Sequence, residues 1–381
     1  MLTNRIKTTL YLLLVAGIGN QCLLAQDAKM PKAWPQFRLT DNNAGSFGKT
    51  EIQKPKLKWK FSTGDVIESS AAIVDGVAYV GGHAKRLHAV DCETGKLKWK
   101  FDVGGWVRAS PSVVDGVVYF GSDDNKFYAL KAATGEKLWE FGLGEGGEQS
   151  SPLIHAGRVY FGAFDNFVYC LDAKSGEMKW KCDVGASMLS SPAKVYDIYI
   201  ATYNGEVFRV DAKTGEKKWS KKFGDKPMFS SASWDKLRVY FSSYDKNIYC
   251  LSQSDGSVVW KYETAGEIFS SPALSSMDNT VYCGSNDNHL YAIDTRNGKL
   301  RWKTDLGGAV FSSPTVTESS IYVGSSDGHL YGLDRKTGEI RWKYLVKKGV
   351  KVWTSAAAVS GVLYFGSHDG DLIALEEGAG S

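Results

Sequence analysis

Tryptophan recurs along this chain at an almost constant interval. From Trp59 the next seven fall at Trp99, Trp139, Trp180, Trp219, Trp260, Trp302 and Trp342, spaced 40, 40, 41, 39, 41, 42 and 40 residues apart. All but the first follow a glycine four residues earlier, at Gly95, Gly135, Gly176, Gly215, Gly256, Gly298 and Gly338. Each interval is filled in the same way, as in ASPSVVDGVVYFGSDDNKFYALKAATGEKLWEF over residues 109–141. Apolar runs of about five residues, bounded by Gly, Asp and Asn, read as antiparallel strands joined by tight turns. One four-stranded unit of this kind cannot bury both of its faces. Units of about 40 residues that stack radially can, and that arrangement is a β-propeller.

The ends of the array set the blade count. Eight copies of the three-strand run begin at Ser69, Ala109, Ser150, Ser190, Ser230, Ser270, Ser312 and Thr354. The last, residues 354–375, has no closing Trp, whereas the strand around Trp59 has a Trp and no partners. Pairing the two completes an all-β, eight-bladed ring of four-stranded antiparallel blades over 57–381. Burying each repeated Trp hides about 150–250 Å², worth roughly 4–6 kcal/mol as an upper bound. These residues therefore read as mortar between blades, with the glycine supplying the positive φ of the turn.

Two segments precede the ring. Residues 1–25 carry Arg5 and Lys7, then the apolar run LYLLLVAGI, then Ala25 before Gln26-Asp27. This is the pattern of a secretory signal peptide, too short to span a bilayer. The expected location is periplasmic or secreted. Cys22 would give peripheral membrane attachment if lipidated, but Gly19-Asn20-Gln21 fit a lipidation site poorly. Residues 26–56 read as an irregular strap containing Trp34-Pro35-Gln36-Phe37-Arg38. A net charge of +4 with interspersed signs leaves no basic footprint for nucleic acid, and the chain is expected to be monomeric.

The pattern S-S-P-x-V…D-G-x-V-Y-F-G-S-x-D…Y-A-L-D-x-x-T-G-x-x-x-W resembles the pyrroloquinoline-quinone-type propeller repeat over nearly all of 34–375. The WD-type repeat is excluded, because the repeated Trp is never followed by Asp. The resemblance implies one of two activities. Quinoprotein dehydrogenases hold the quinone and calcium in the propeller funnel, with a catalytic Asp and adjacent cysteines. This chain has no Cys-Cys pair, no C-x-x-C-H haem motif and no room for the insertions that build such a pocket. The compact, cofactor-free branch includes the propeller lipoprotein of the outer-membrane β-barrel assembly machinery, similar in size and blade count. The expectation is a non-catalytic binding scaffold of the bacterial envelope, with no cofactor. A quinoprotein oxidoreductase and a glycan-binding or adhesion module are the alternatives.

Comparing the eight copies separates architecture from candidate function. The residue before each Ser-Ser-like start faces the mouth; in order these are Glu68, Arg108, Gln149, Leu189, Phe229, Phe269, Phe311 and Trp353. A second ring, between the second and third strands, reads His83, Asp123, Phe164, Tyr203, Tyr244, Asn286, Ser326 and His368. The next position is Asp or Asn in every copy but the first, which has Ala84, and reads as turn chemistry. A one-sided cluster of Arg108, Phe164, Leu189, Tyr203, Phe229, Tyr244, Phe269, Phe311 and Trp353 is what interaction surfaces enrich. It suits a protein or an extended polypeptide; packing between blades alone, or stacking on sugars, are the other readings.

His83 and His368, with Asp369, are the one metal-ligand grouping the spacing offers, and exposed loop imidazoles seldom serve so. No nucleophile, phosphate-loop or paired-carboxylate motif stands out. Most copies put a small and an aromatic residue where two strands face, as in Ala89/Phe101 and Ala129/Phe141. In the third blade these are Cys170 and Cys182, a candidate disulfide in an exported protein.

Overall fold

The structure, a computed structural model, describes residues 35, 50–144, 146–147 and 150–378. Residues 1–25 with Cys22, most of the strap and Gln149 lie outside the described residues. Thirty-two strands form eight four-stranded antiparallel sheets, with no helix among the described residues. Seven sheets are consecutive in sequence. The eighth orders Pro55–Ser62, Asp371–Glu377, Val362–Gly366 and Ala357–Val359 from outside in. Its seam runs from Pro55 opposite Glu377 to Ser62 opposite Asp371. The ring is closed by the first strand, as the sequence predicts.

Neighbouring blades are joined by one repeated contact. In six of the repeated Trp residues the indole N–H donates to a carbonyl at the outer turn of the next blade. The acceptors of Trp59, Trp99, Trp139, Trp180, Trp219 and Trp260 are Cys92, Ala132, Ala173, Ala212, Gln253 and Thr295, at 2.8–3.3 Å. The turn glycine of that next blade lies flat on the same indole. A Cβ at Gly95 would sit 2.7 Å from the Trp59 ring, and one at Gly338 2.4 Å from Trp302. The glycine is thus needed twice, for its positive φ (68° at Gly95) and for the missing side chain.

The eighth blade borrows its outer strand from the N-terminus and has no such turn to offer Trp342. Residues of the strap fill the gap. Trp342 donates to the carbonyl of Ile52 at 2.6 Å, and Tyr322 donates to that of Thr50 at 3.0 Å. The Ile52 amide in turn donates to the Tyr322 hydroxyl. Ile52 is fully buried, and the Glu51 carboxylate accepts from Thr317, Ser319 and Ser320. The strap reads as irregular in sequence, and here it is a structural part of the ring.

The cysteine pair does not face as its spacing suggests. A bulge between Cys170 and Leu171 sets Cys170 opposite Trp180 and Cys182 opposite Val168. Such diagonal neighbours lie about 7–8 Å apart, too far for a disulfide without backbone movement. The same offset holds in the first blade, where Ala89 opposes Trp99 and Phe101 opposes Leu87. Cys92, Cys170, Cys182, Cys250 and Cys283 are all buried, and none forms a disulfide with another. Thiol labelling of the denatured, unreduced protein should modify all five.

The Asp of the mouth turn does more than shape the turn. In five blades it accepts the hydroxyl of a Tyr four residues later: Asp124/Tyr128, Asp165/Tyr169, Asp245/Tyr249, Asp287/Tyr291 and Asp327/Tyr331, at 2.6–2.8 Å. The first blade replaces both partners, with Ala84 and His88. His88 is buried against Phe61 of the closing strand, and its Nδ1 has no hydrogen-bond partner. Burial first, then Arg86 and Lys100 against the pull of Asp102, lowers its pKa from 6.5 to about 4. The folded state therefore favours neutral His88. That contribution is complete above about pH 6.5 and is lost as pH falls toward 4, up to about 3 kcal/mol. The variant A84D/H88Y, which restores the clamp, should flatten the fall of Tm between pH 7 and 4.5.

Candidate functional site

The mouth is built by a short alternation of inward and outward residues. Ile67, Val107, Met188, Met228, Ile268, Val310 and Val352 are fully buried, so the residue after each turns outward. Those next residues are Glu68, Arg108, Leu189, Phe229, Phe269, Phe311 and Trp353. The second ring is tied to the first by one backbone bond per blade. The amide of His83 donates to the Val66 carbonyl, that of Asp123 to Trp106, that of Tyr203 to Ser187, and the others follow the same rule. Asp side chains add to this frame: Asp124 accepts from the Gly104 amide at 2.8 Å and Asp287 from that of Ala265 at 2.9 Å.

These residues enclose a cavity of ≈ 360 Å³. Its apolar wall is a continuous chain of rings. Phe164 meets Tyr203 at 5.6 Å, Tyr203 meets Phe229 at 5.0 Å, and Phe229 meets Phe269 at 4.9 Å. Phe269 meets Phe311 at 5.6 Å, and Phe311 meets Trp353 at 4.5 Å. Phe269 is the most open, at 37% exposure. Leu189 completes the wall. Tyr244, expected at the mouth, instead packs edge-on against Phe229 at 5.4 Å and does not line the cavity.

The opposite arc is polar and paired within itself. Arg108 bonds Asp123 at 2.7 Å, and His83 lies 3.1 Å from Glu68. Burial raises the Asp123 pKa in spite of Arg108. His368 packs edge-on against Trp353 at 4.2 Å, and burial lowers its pKa. Asp369 turns away to the Ser367 hydroxyl. The His83, His368 and Asp369 grouping therefore does not converge, and no cluster of three or more His, Cys, Asp or Glu suited to a metal occurs among the described residues.

Two features of the mouth go beyond what the repeat pattern predicts. Trp106, 40% exposed, stacks on His83 at 4.2 Å with the Arg108 guanidinium over its ring. Its signal was a tryptophan outside the 40-residue register. The second is a closed circle of serines on the cavity floor. The backbone N–H of Ser70 donates to Ser110 Oγ, Ser110 to Ser151, Ser151 to Ser191 and Ser191 to Ser231. Ser231 continues to Ser271, then Ser313, Ser355 and back to Ser70, every bond falling between 2.8 and 3.2 Å around the circle. The signal was the serine itself, present in all eight copies while the residue before it varies to Ala109 and Thr354.

With this geometry in view, comparison with known proteins identifies the family. Residues 52–262 and 244–381 match the sequence model of the family described as outer membrane protein assembly factor BamB. The chain belongs to that family. No curated protein matches it by sequence. Among solved structures, BamB from Moraxella catarrhalis is 18% identical with a TM-score of 0.71, over 86% of this chain and 99% of that one. The quinohemoprotein alcohol dehydrogenase from Comamonas testosteroni is 15% identical with a TM-score of 0.78, over 93% and 82%. A europium-containing methanol dehydrogenase gives 14% and 0.77, over 89% and 91%. At these identities the structural likeness establishes the propeller fold that BamB and the dehydrogenases share.

Within the aromatic wall, packing and exposure divide the residues. Phe229 touches Tyr203, Tyr244 and Phe269, so F229A should cost about 1–3 kcal/mol in denaturant unfolding. F269A, at the open position, should cost under about 1 kcal/mol.

Proposed function

We propose that this chain is a non-catalytic scaffold of the bacterial envelope that captures a client polypeptide at its mouth during outer-membrane protein assembly. The observation that carries this reading is the apolar arc from Phe164 to Trp353, open at Phe269 and facing an arc in which Arg108 pairs with Asp123. Aromatic rings in a concave, partly desolvated site are the usual anchors of protein recognition. Membership of the BamB family supports the assembly role, and the leader pattern supports export.

A quinone with calcium is the second reading, favoured by the dehydrogenase neighbours. The residues present suit it poorly. Calcium takes six to eight oxygens, whereas the mouth carboxylates Glu68 and Asp123 are engaged by His83 and Arg108. The buried cysteines do not reach the cavity. Sugar stacking is likewise disfavoured at Trp106, whose ring already carries His83.

A photoreactive residue in place of Phe311 should crosslink one discrete protein partner in cells. The same residue at Lys137, an exposed position on an outer strand, should not. The F269A/F311A variant should lose that capture while keeping its Tm within a few degrees. Equal adducts at both positions, or none at Phe311, would remove the mouth from the function.

A further inference from the structure

The circle of serines leaves eight donors unspent. Each Oγ accepts one backbone N–H, and among the described residues none of these hydroxyls has a protein acceptor for its own proton. All eight side chains line the cavity and are only 3–8% exposed. Accepting an N–H polarises a hydroxyl and strengthens it as a donor. Eight O–H dipoles around one axis, held by a rigid ring, give the cavity floor a positive potential without a formal charge. Arg108 adds to it, since its Nε–H is buried at the cavity edge with no acceptor. Unspent buried donors of this kind favour an acceptor, and an anionic acceptor most.

The rest of the cavity limits what can carry that acceptor. Its volume of ≈ 360 Å³ is at the low end for ligand pockets. Above the floor, the wall from Phe164 to Trp353 calls for a bulky apolar group. Near Ser110, the carbonyl of Pro35 accepts the Val113 N–H on the innermost strand of the second blade. The C-terminal residue of a polypeptide carries both groups on one carbon, a free carboxylate for the floor and a side chain for the wall beside it.

We infer that the mouth takes the C-terminal end of a polypeptide, its free α-carboxylate on the serine circle and Arg108, its large apolar last side chain against the aromatic wall. This rests on the reading of the mouth as a polypeptide site and narrows it to chain ends. The Glu68 carboxylate, on the same arc, lies 3.1 Å from His83 Nε2.

The test uses two N-terminally labelled hexapeptides of one sequence ending in Phe, one with a free carboxylate and one with a carboxamide. Fluorescence anisotropy with the whole mature protein should show the acid binding about tenfold or more tightly. In S231A/S271A, and separately in R108Q, the acid should fall to the level of the amide while the amide changes less than twofold. The comparison on the unaltered protein stands even where a variant does not fold. Equal binding of acid and amide overturns the chain-end inference and leaves polypeptide capture intact. No binding of either peptide, with a crosslinked partner still formed at Phe311, also overturns it. No binding and no adduct removes both readings.

Discussion

The ring depends on one contact made between neighbouring blades. An indole lies against a glycine turn of the next blade and donates its N–H to a carbonyl there. A four-stranded sheet has two apolar faces and a propeller gives each of them a neighbour, but radial stacking needs a fixed angle between sheets. The Trp supplies area and, through its single donor, a direction. The glycine supplies a turn that no side chain obstructs. Where the chain runs out of turns, at the seam between its first and last strands, Thr50 to Ile52 provide the carbonyls instead. The closing blade is therefore held on two sides, by strand pairing from Pro55 to Ser62 and by this wedge.

A frame of this kind frees the mouth for specificity. The backbone bond from each second-ring residue to the first-ring loop repeats in every blade whose residues are described, and the Asp–Tyr clamp recurs in five blades. Side chains projecting above that frame can differ without disturbing it. They do: one arc is aromatic from Phe164 to Trp353, and the other is polar, with Arg108 paired to Asp123 and Glu68 beside His83. The floor is uniform, because the serines bond to one another around the axis. The mouth thus combines an apolar wall, a neutral but donor-rich floor and one arginine whose Nε–H has no acceptor among the described residues.

Most of the fold was legible in the sequence, and the reasons are local. Turn residues such as Asp115-Gly116 and the interval between tryptophans are chemical requirements of single blades repeated many times, so eight copies confirm one another. The mouth rings were legible because in-chain comparison shows where copies agree and where they differ. The cysteine pair was misread because strand register depends on a bulge at Cys170, which composition does not announce. Tyr244 was misplaced for a similar reason: ring position gives the blade and the loop, but the rotamer is decided by Phe229 beside it. Trp106 is not legible from the repeat because it belongs to neither repeat position.

The sequence by itself determined the strand order, the number of blades, the closure of the ring by its first strand and the side of the mouth that is aromatic. Each follows from periodicity, since identical units must meet identical neighbours. Tertiary structure alone decided that Ile52 completes the last Trp contact, that Glu68 and Arg108 are internally paired, and that eight serines form one hydrogen-bonded circle. Those facts depend on which groups meet across blades far apart in sequence, as Ser355 meets Ser70. A repeat specifies its own unit; only closing the ring brings its two ends, and the axis between them, into contact.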